Sequence, residues 1–405
     1  MSVAQDQLRA PPPDRVPADR VVDFDYLRDP NPDDPFVDYR RLSEHPHELI
    51  WSTANGGHWI VTRNELLFDM IQKPELFSNR HTSIPPTPYH VRQIPEELDP
   101  PEHTKYRAII SPRLGPKMMR EFEAKSQKLA RELVDRVHAE GRADLMRALT
   151  IPLPCGIFLE MMGLPTNRTE EFVAWKDDFF YGGADDKKKA ANERIVVTLQ
   201  EAIDEKRRAP ADDLLSFLVC EAEVDGRPLD NGELMSFAIL FFFAGLDTVT
   251  AVMSACFLYF ANNPVARDRV VADPTLANAA VEEIIRRYSV VNVVRTATQD
   301  FEWAGALIRQ GDQFVGSTLM ANLDEREFAH AMEVDFEREG NRHLGFGGGP
   351  HRCVGSHLAR VELRAVLQEA LPRLKNLRMQ AGASARFHVG ALVGLATLPV
   401  EWDVA

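Results

Sequence analysis

The chain has 405 residues, 44% of them hydrophobic, a composition that permits a soluble protein with a large core. Its formal net charge of −14 argues against general nucleic-acid binding, because contacts to phosphates require a basic surface. The four cysteines, at positions 155, 220, 256 and 353, lie far apart, which fits a reducing compartment rather than a disulfide framework. Residues 1–34 contain no apolar signal or anchor segment, so we expect a cytoplasmic protein without a membrane anchor.

The pattern along the chain predicts a fold that is mainly α with a minor β part. Residues 1–33 are rich in proline and charge and are expected to be irregular, followed by a single domain over residues 34–405. Proline-rich residues 78–101 predict a long loop, and loops of that length usually serve function. Strand signals cluster near the start and after residue 290, with a hairpin predicted at 49–51 and 58–62. Helices are predicted at 35–45, 64–72 (capped by Asn64), 103–114, 117–139, 149–162, 169–180, 187–208 and 212–221.

Residues 231–262 form the longest apolar segment, which is free of charge from 234 to 266 except for Asp247. A membrane span is disfavoured, because a carboxylate in mid-span is costly. A helix that is apolar all round is instead typical of the central buried helix of a large soluble protein. Its Asp247–Thr248 pair is either structural, bonded to an arginine or to backbone, or delivers protons beside the small Ala244 and Gly245. A flat group could pass close to the helix at those two residues.

A glycine-rich loop, residues 343–355, contains Cys353 and leads into an amphipathic helix predicted from Ser356 to about Leu371. Glycine allows the backbone to approach a flat group closely. The free N–H groups and the dipole of the following helix favour a thiolate at Cys353. A cysteine held in this way could ligate a soft metal or a haem iron.

Four other interpretations of this loop are open. A zinc site made of His343, His351, Cys353 and His357 would have an unusual ligand spacing. A phosphate-binding loop at 345–349 would lack the Lys-Ser/Thr ending and the preceding strand. A nucleophilic Cys–His pair would require an orienting third group. A buried structural cysteine is the fourth, and none of the four explains the Ala-Gly-x-Asp-Thr segment.

Several charged side chains outside the loop could act together. His103, Arg107, Arg295 and His351 could bind a dianionic ligand such as a haem with its two propionates. The alternative is four unrelated surface charges. Glu283 and Arg286 lie three apart on one helix face, a spacing that is most often a solvated ion pair.

At this point the motifs together resemble a known family. Phe346-x-x-Gly349-x-His351-x-Cys353-x-Gly355 is similar to the cysteine-ligand loop of the cytochrome P450 haem-thiolate monooxygenases. Residues 244–248 resemble their oxygen-activation motif, and Glu283-x-x-Arg286 resembles their helix ion pair. All three occur in the family's order and at its usual separations, so the resemblance covers essentially the whole chain.

The resemblance implies a single triangular P450-type fold, with haem b as cofactor and Cys353 as the thiolate ligand of its iron. It implies that Asp247 and Thr248 deliver protons during oxygen activation, and that Glu283 and Arg286 are structural. The residues expected to contact haem are His103, Arg107, Ala244, Gly245, Arg295, Phe346, Gly347, His351, Cys353 and Gly355.

Three further segments, 99–102, 322–327 and 398–403, resemble the bacterial camphor-hydroxylase group. That group takes electrons from a [2Fe–2S] ferredoxin served by an NADH-dependent reductase, so we expect the same partners here, and no nucleic acid or membrane. Such a ferredoxin is acidic and requires a locally basic docking surface. The candidates are Lys105, Arg107, Arg113, Lys117, Arg352 and Arg360.

The resemblance also implies a largely apolar substrate pocket, which suits a compact ligand. Camphor itself is disfavoured, because the tyrosine of the camphor enzyme falls near Val91 or Arg92, and Phe243 replaces a smaller residue. We expect another monoterpenoid, a cyclic ether or ketone such as cineole, or a norisoprenoid. The alternative function is a haem-thiolate protein that does not activate O2: a peroxygenase, an isomerase or a ligand sensor. The expected lining is Ser83, Tyr89, Val91, Leu240, Phe243, Val291, Val294, Ala391 and Leu392.

Overall fold

The structure, a computed structural model, describes residues 9–86, 91–181, 185–389 and 392–404. Helices account for most of the regular structure, as the sequence predicted. Most predicted helices begin and end within a few residues of the observed ones. The helices are α1 (Pro35–Ser43), α2 (Asn64–Gln72), α3 (Glu102–Ile110), α4 (Pro116–Val137), α5 (Pro152–Met162), α6 (Thr169–Tyr181), α7 (Asp185–Arg208), α8 (Leu214–Cys220), α9 (Asn231–Leu246), α10 (Thr248–Asn262), α11 (Pro264–Ala272), α12 (Ala277–Arg287), α13 (Thr318–Asn322) and α14 (Ser356–Ala370).

The strands form one larger sheet and several small ones. The larger sheet has the order β1-β2-β3-β11-β8-β4, in which β1 is parallel to β2 and β3 is parallel to β11. The order β12-β15-β5 forms a second sheet, and β6-β7, β9-β10 and β13-β14 form hairpins. The strands are β1 (Val21–Val22), β2 (Leu49–Ser52), β3 (His58–Val61), β4 (Phe77–Ser78), β5 (Arg142–Asp144), β6 (Glu223–Val224), β7 (Arg227–Pro228), β8 (Asn292–Ala297), β9 (Phe301–Trp303), β10 (Ala306–Ile308), β11 (Gln313–Ser317), β12 (Lys375–Met379), β13 (Arg386–His388), β14 (Gly394–Thr397) and β15 (Pro399–Asp403).

The segment 231–262 lies at the centre of the core, as predicted. It is the one part of the described chain that is long and apolar enough to cross a membrane, but 61% of its most apolar window is buried inside the protein. The prediction of a single helix is wrong, because the backbone leaves the helical conformation at Asp247 (φ −126°, ψ −37°). The Thr248 hydroxyl donates to the Ala244 carbonyl at 3.0 Å, an acceptor that an unbroken helix would use for the N–H of residue 248.

Two predictions near the N-terminus also differ from the structure. Among residues 9–33, β1 joins the larger sheet, and Phe24 and Tyr26 are buried in the core, so this segment is not wholly irregular. Asn64 is not the N-cap of α2 but its first residue. Its side-chain amide donates instead to the Ala321 carbonyl at 3.1 Å, which ties α2 to α13.

Candidate functional site

The loop before α14 is held against the end of α2. The N–H of Cys353 donates to the Phe346 carbonyl at 2.9 Å. A Cβ at Gly349 would lie 2.2 Å from the Ile71 carbonyl oxygen, so this glycine is required by packing. Gly347 has a φ of +63°, and nothing described lies within 4 Å of its Cβ position. The close approach to a flat group that the sequence suggested is therefore open at Gly347, whereas Gly349 packs against protein.

Cys353 keeps accessible surface in the loop before α14. The surrounding protein nevertheless raises the pKa of its thiol, and burial is the largest cause. A backbone N–H at Gly355 and the charges of Arg107 and Arg352 lower the pKa but do not offset burial. The thiolate favoured by the sequence argument therefore requires more positive charge than the protein supplies, as a bound metal cation would provide.

Polar side chains from α3 and β8 meet those of this loop. The rings of His103 and His351 lie 4.2 Å apart between centroids. Arg107 donates to the Arg352 carbonyl, and the buried Arg295 donates to the Val294 carbonyl at 2.7 Å. Burial lowers the pKa of Arg295 to about 10, so it stays cationic at neutral pH. Burial, together with Arg295, His103 and Arg107, lowers the pKa of His351 to about 2, so its ring is neutral.

This cluster contains two residues that the sequence analysis missed. The Asn79 amide donates at 2.6 Å to the Glu96 carbonyl and contacts His351 Nδ1 at 3.3 Å. Glu96 interacts electrostatically with Arg295 and Arg107, although burial still raises its pKa. Both residues lie in the region predicted as a loop, where no periodicity or motif distinguishes them.

A second group of side chains lies along α9 and α10. Leu240, Ala244 and Thr248 are spaced four apart and, like Phe243 beside them, keep accessible surface, while most of α9 is buried. Helices α5, α6, α7 and α8 pack around α9, and the stripe is a part of α9 and α10 that they leave accessible. Gly245 has a different role, because a Cβ there would lie 2.2 Å from the Phe158 ring. That glycine allows α5 to pack against α9.

An aromatic layer from α6 covers the stripe. The rings of Phe179 and Phe243 stack with centroids 4.6 Å apart, and Phe180 contacts Phe243 edge-on at 5.1 Å. Each such pair adds about 0.5–1.5 kcal/mol beyond its burial. Helix α6 therefore covers the stripe at Phe243 with aromatic rings, while Ala244 and Thr248 keep accessible surface.

Asp247 is held by a lysine that the sequence analysis did not identify. Lys176 Nζ, on α6, lies 2.7 Å from Asp247 Oδ1 and 2.7 Å from Asp177 Oδ1. The side chains of Lys176 and Asp247 are 5% and 3% exposed. Burial alone would lower the pKa of Lys176, but the two carboxylates outweigh it and raise the pKa. The lysine is therefore a permanent ammonium that joins α6 to the break between α9 and α10.

Comparison with known proteins adds to this geometry. The sequence profile described as "Cytochrome P450" matches residues 172–382. "Probable cytochrome P450 127A1" of Sinorhizobium fredii is 33% identical over 404 residues, which cover 97% of each chain. "Methyl-branched lipid omega-hydroxylase" of Mycobacterium tuberculosis is 34% identical over 420 residues, which cover 98% of each. The crystal structure of CYP101J2 has a TM-score of 0.89 at 32% identity, covering 98% of this chain and 100% of that one. The chain belongs to the cytochrome P450 family.

This P450 is a monooxygenase, its cofactor is haem b, and its fold is the P450 fold, as the sequence predicted. The side chains beside Cys353 fit that cofactor. Both ring nitrogens of His103 and Nε2 of His351 are buried without a hydrogen-bond partner among the described residues. With the cations Arg107 and Arg295 they form a donor set suited to two carboxylates, the charge that a haem carries on its propionates.

The predicted substrate residues of the P450 are only partly brought together. Val291 forms an isolated bridge with Leu392, which joins the start of β8 to the C-terminal region. Val294 is 4% exposed and packs in a core cluster with Tyr26 and Ile84. Because side chains alternate along β8, Val294 points away from the face that carries Val293 and Arg295, so the structure does not support it as a pocket residue.

The other predicted pocket positions lie in or near the long loop and the C-terminal region. The Ser83 hydroxyl donates to the Pro85 carbonyl at 3.1 Å, within its own loop. Val91 is half-buried against the main core. Tyr89 and Ala391 lie outside the residues that the structure describes.

The Glu283–Arg286 pair is buried in this P450 and is not a surface ion pair. Arg286 is fully buried and donates to Glu283 at 2.7 and 3.0 Å. Its remaining hydrogen bonds go to the carbonyls of Asn322, Ala331 and Glu333. The pair thereby fastens α12 to the irregular segment that precedes the Cys353 loop.

Proposed function

We propose that this P450 hydroxylates a small apolar substrate in the cytoplasm, using O2 and electrons from a [2Fe–2S] ferredoxin and its NADH-dependent reductase. The proposed substrate is a monoterpenoid, such as a cyclic ether or ketone, or a norisoprenoid. The accessible stripe Leu240, Phe243 and Ala244, with Phe179 and Phe180 packed on Phe243, carries this proposal. A lining of this kind binds a compact hydrocarbon skeleton by burial rather than by hydrogen bonds.

We infer that residues 34–405 act as one haem-binding domain in which Cys353 is the iron ligand. Thiolate-ligated haem supplies the oxygen activation. His103, Arg107, Arg295 and His351 would bind the propionates. Phe346, Gly347, Gly355 and Ala244 would line the haem, whereas Gly245, which was also expected to contact it, packs against Phe158. The Asp247 carboxylate and the Thr248 hydroxyl would pass protons inward, while Glu283 and Arg286 hold the fold.

One spectrum tests the cofactor and its ligand. We expect the reduced protein under carbon monoxide to show the red-shifted Soret band of thiolate-ligated haem. We expect Cys353→Ala to lose that band and Cys155→Ala to keep it, because Cys155 is fully buried and burial raises its pKa to about 12. A band that survives Cys353→Ala would overturn the assignment of the ligand.

The substrate class is tested by the shift of the ferric Soret band from low to high spin on binding. The panel should contain cyclic monoterpenoid ethers and ketones, norisoprenoids and, as the competing class, methyl-branched lipids, since one relative is described as a lipid ω-hydroxylase. We expect shifts with the compact compounds only. A shift with the long lipids alone would replace the proposed class.

The alternative class, a haem-thiolate protein that does not activate O2, is distinguished by its oxidant. The pairing of a buried Asp247 with an accessible Thr248 favours the monooxygenase, because proton delivery is required when O2 is the oxidant. We expect product with NADH, reductase, ferredoxin and O2, and little product with hydrogen peroxide alone. Turnover with peroxide only would support a peroxygenase.

The electron partner requires a basic area beside the Cys353 loop. Of the predicted cations, Lys105 pairs with Asp225 at 2.6 Å and Arg113 pairs with Glu221 at 3.2 Å. Arg360 is half-buried and bonded to Glu282, and Lys117 has no described side chain. Arg107 is half-buried and bonded to the Arg352 carbonyl, whereas Arg352 is exposed and forms no ion pair with the described residues. We propose that it contacts the ferredoxin.

Arg352→Gln tests that contact. We expect the second-order rate of reduction by ferredoxin to fall and to depend less on salt, because one exposed charge has been removed. Arg309→Gln, an exposed arginine paired with Asp300 on the β9–β10 side of the molecule, is the control. Equal rates in both variants would remove Arg352 from the proposed docking surface.

A further inference from the structure

A histidine from the C-terminal region lies at the first turn of α10. His388 ends β13 and pairs with Gly394 on β14. A Cβ at Gly394 would lie 2.7 Å from His388 Nε2 and 3.3 Å from the Ala251 Cβ. The imidazole therefore lies across Gly394, where a side chain would displace it. Ala251 donates its N–H to the Asp247 carbonyl at 2.9 Å, which places the ring one helical turn from Asp247.

Three charged groups that act on this ring belong to the proton-delivery region. His388 interacts electrostatically with Asp247, at the α9–α10 break, and with Lys176 and Asp177, on α6. Helix α10 contains no charged residue, and the segment 146–150 packed on β14 contributes only Arg147, which is exposed. Burial lowers the pKa of His388, so the ring is neutral at neutral pH.

We propose that His388 is a positioning residue for Asp247: the neutral ring leaves the Lys176 ammonium shared between Asp247 and Asp177, and the protonated ring competes with that ammonium. The proton comes from bulk solvent, which reaches Asp177, whose side chain is 39% exposed. It forms one N–H bond on the imidazole, and no other bond changes. The inference rests on the proposed role of Asp247 in proton delivery.

The consequence is that the Lys176–Asp247 contact, which joins α6 to the start of α10, weakens as the pH falls. A second cation beside the carboxylates repels Lys176 and attracts Asp247, so the carboxylate is held less firmly where Thr248 requires it. Product formed per NADH should therefore fall with pH as His388 gains its proton. Because burial lowers the pKa of His388, this fall should begin below the usual histidine value of 6.5.

The first experiment measures the electrostatic coupling without any turnover. His388 is titrated by NMR in 13C-histidine-labelled enzyme in the diamagnetic ferrous carbon-monoxide form, with His388→Gln to assign its signal. We expect Asp247→Asn to lower the pKa of His388 and Lys176→Met to raise it, each by about 0.5 or more. If neither variant moves the pKa, the proposal is overturned, whatever the substrate of the enzyme proves to be.

The second experiment measures product per NADH from pH 5 to 8. We expect the acid limb of the wild-type profile to disappear in His388→Gln and to shift in Gly394→Ala, which displaces the ring without removing it. His330→Asn, at an exposed histidine with a φ of 53° that asparagine tolerates, should keep the wild-type profile. A histidine with only a structural role would change coupling equally at every pH, and that result would contradict the proposal.

Discussion

Thr248 and Thr250 show how two identical side chains on one helix differ in chemistry. Each donates its hydroxyl to the carbonyl four residues earlier, Thr248 to Ala244 at 3.0 Å and Thr250 to Leu246 at 3.3 Å. Thr250 is buried, whereas Thr248 lies on the accessible stripe next to Asp247. Both threonines therefore form the same kind of hydrogen bond, but only Thr248 can also contact a bound group.

We expect Thr248→Ala to fold and to bind haem, because one lost hydrogen bond costs about 1 kcal/mol. It should release more hydrogen peroxide and form about tenfold less product per NADH, since a positioned proton donor contributes at least that much to such a step. Thr250→Ala is the matched control and should remain coupled. Equal coupling in the two variants, measured as product and peroxide per NADH, would contradict the role of Thr248.

The residues that sequence could identify are those whose chemistry is tied to a local pattern. Cys353 stands in a glycine-rich loop before a helix, and Asp247 is the one charge in a long apolar segment. Lys176, Glu96 and His388 carry no such pattern, because ordinary charged helices and loops contain the same residue types. Each becomes conspicuous only when the fold buries it beside a partner from a distant segment.

At the scale of single elements, α9 begins with a reinforced capping box. Asp230 and Glu233 each accept the backbone N–H of the other, at 2.9 and 2.7 Å. Arg227 donates to both Glu233 oxygens, and the Tyr106 hydroxyl donates to one of them at 2.5 Å. The bonds from Arg227 are the main reason that the pKa of Glu233 falls to about 2.

This pKa makes the contribution of Glu233 to stability dependent on pH. The pKa of Glu233 in the folded protein lies below its usual value of 4.5. The contribution of Glu233 to the free energy of unfolding is therefore complete above pH 4.5 and is lost as the pH falls toward 2. We expect Glu233→Gln to lower the free energy of unfolding by about 1–2 kcal/mol at pH 7, because Arg227 is half exposed and partly screened. Urea unfolding followed by circular dichroism should show this difference shrinking at pH 4. Glu223→Gln, at an exposed residue on β6, should show none.

The buried ion pair on α12 gives a larger expected effect. Arg286→Met would leave three carbonyls without their hydrogen-bond donor. Glu283 would lose its hydrogen bonds from Arg286 and keep those from Arg338 and Asn341. Breaking one side of a buried pair costs about 3–5 kcal/mol. We expect little haem-loaded protein, measured by the carbon-monoxide spectrum, and Arg286→Lys should rescue it only partly, because lysine has fewer donors. Normal yield in Arg286→Met would contradict this structural role.

Helices with a long apolar periodicity could be predicted from the sequence. Breaks that depend on one side chain, and strands that depend on a distant partner, could not. The course of α4, α6 and α14 could be predicted from apolar spacing. The break at Asp247 could not, since the sequence is mostly apolar on both sides of it. Two-residue strands such as β1 and β6 contain too few positions to show alternation, and their pairing depends on neighbours far along the chain.

At the scale of the whole molecule, composition predicted a soluble α-rich chain and the motifs predicted the family, but neither predicted how α6 lies over α9. That arrangement is fixed by contacts between segments that are far apart in the sequence. These are the ion pair of Lys176 with Asp247, 71 residues apart, and the stack of Phe179 on Phe243. Helix α7 packs against both α6 and α9. The cover of the proposed substrate site is thus attached through one buried ammonium and one aromatic layer.

Lys176→Met tests how much of that attachment is electrostatic. Methionine keeps an apolar stem of similar length, so the aromatic layer should persist while the ammonium that joins α6 to Asp247 is lost. If the pair contributes about 1–3 kcal/mol to local closure, amide hydrogen exchange in 169–208 should be about 5- to 150-fold faster. Exchange in α4 and α14, which do not depend on this contact, should be unchanged. Lys189→Met, at an exposed lysine on α7, should match the wild type throughout. Equal exchange in Lys176→Met and Lys189→Met would mean that the aromatic layer alone holds α6 in place.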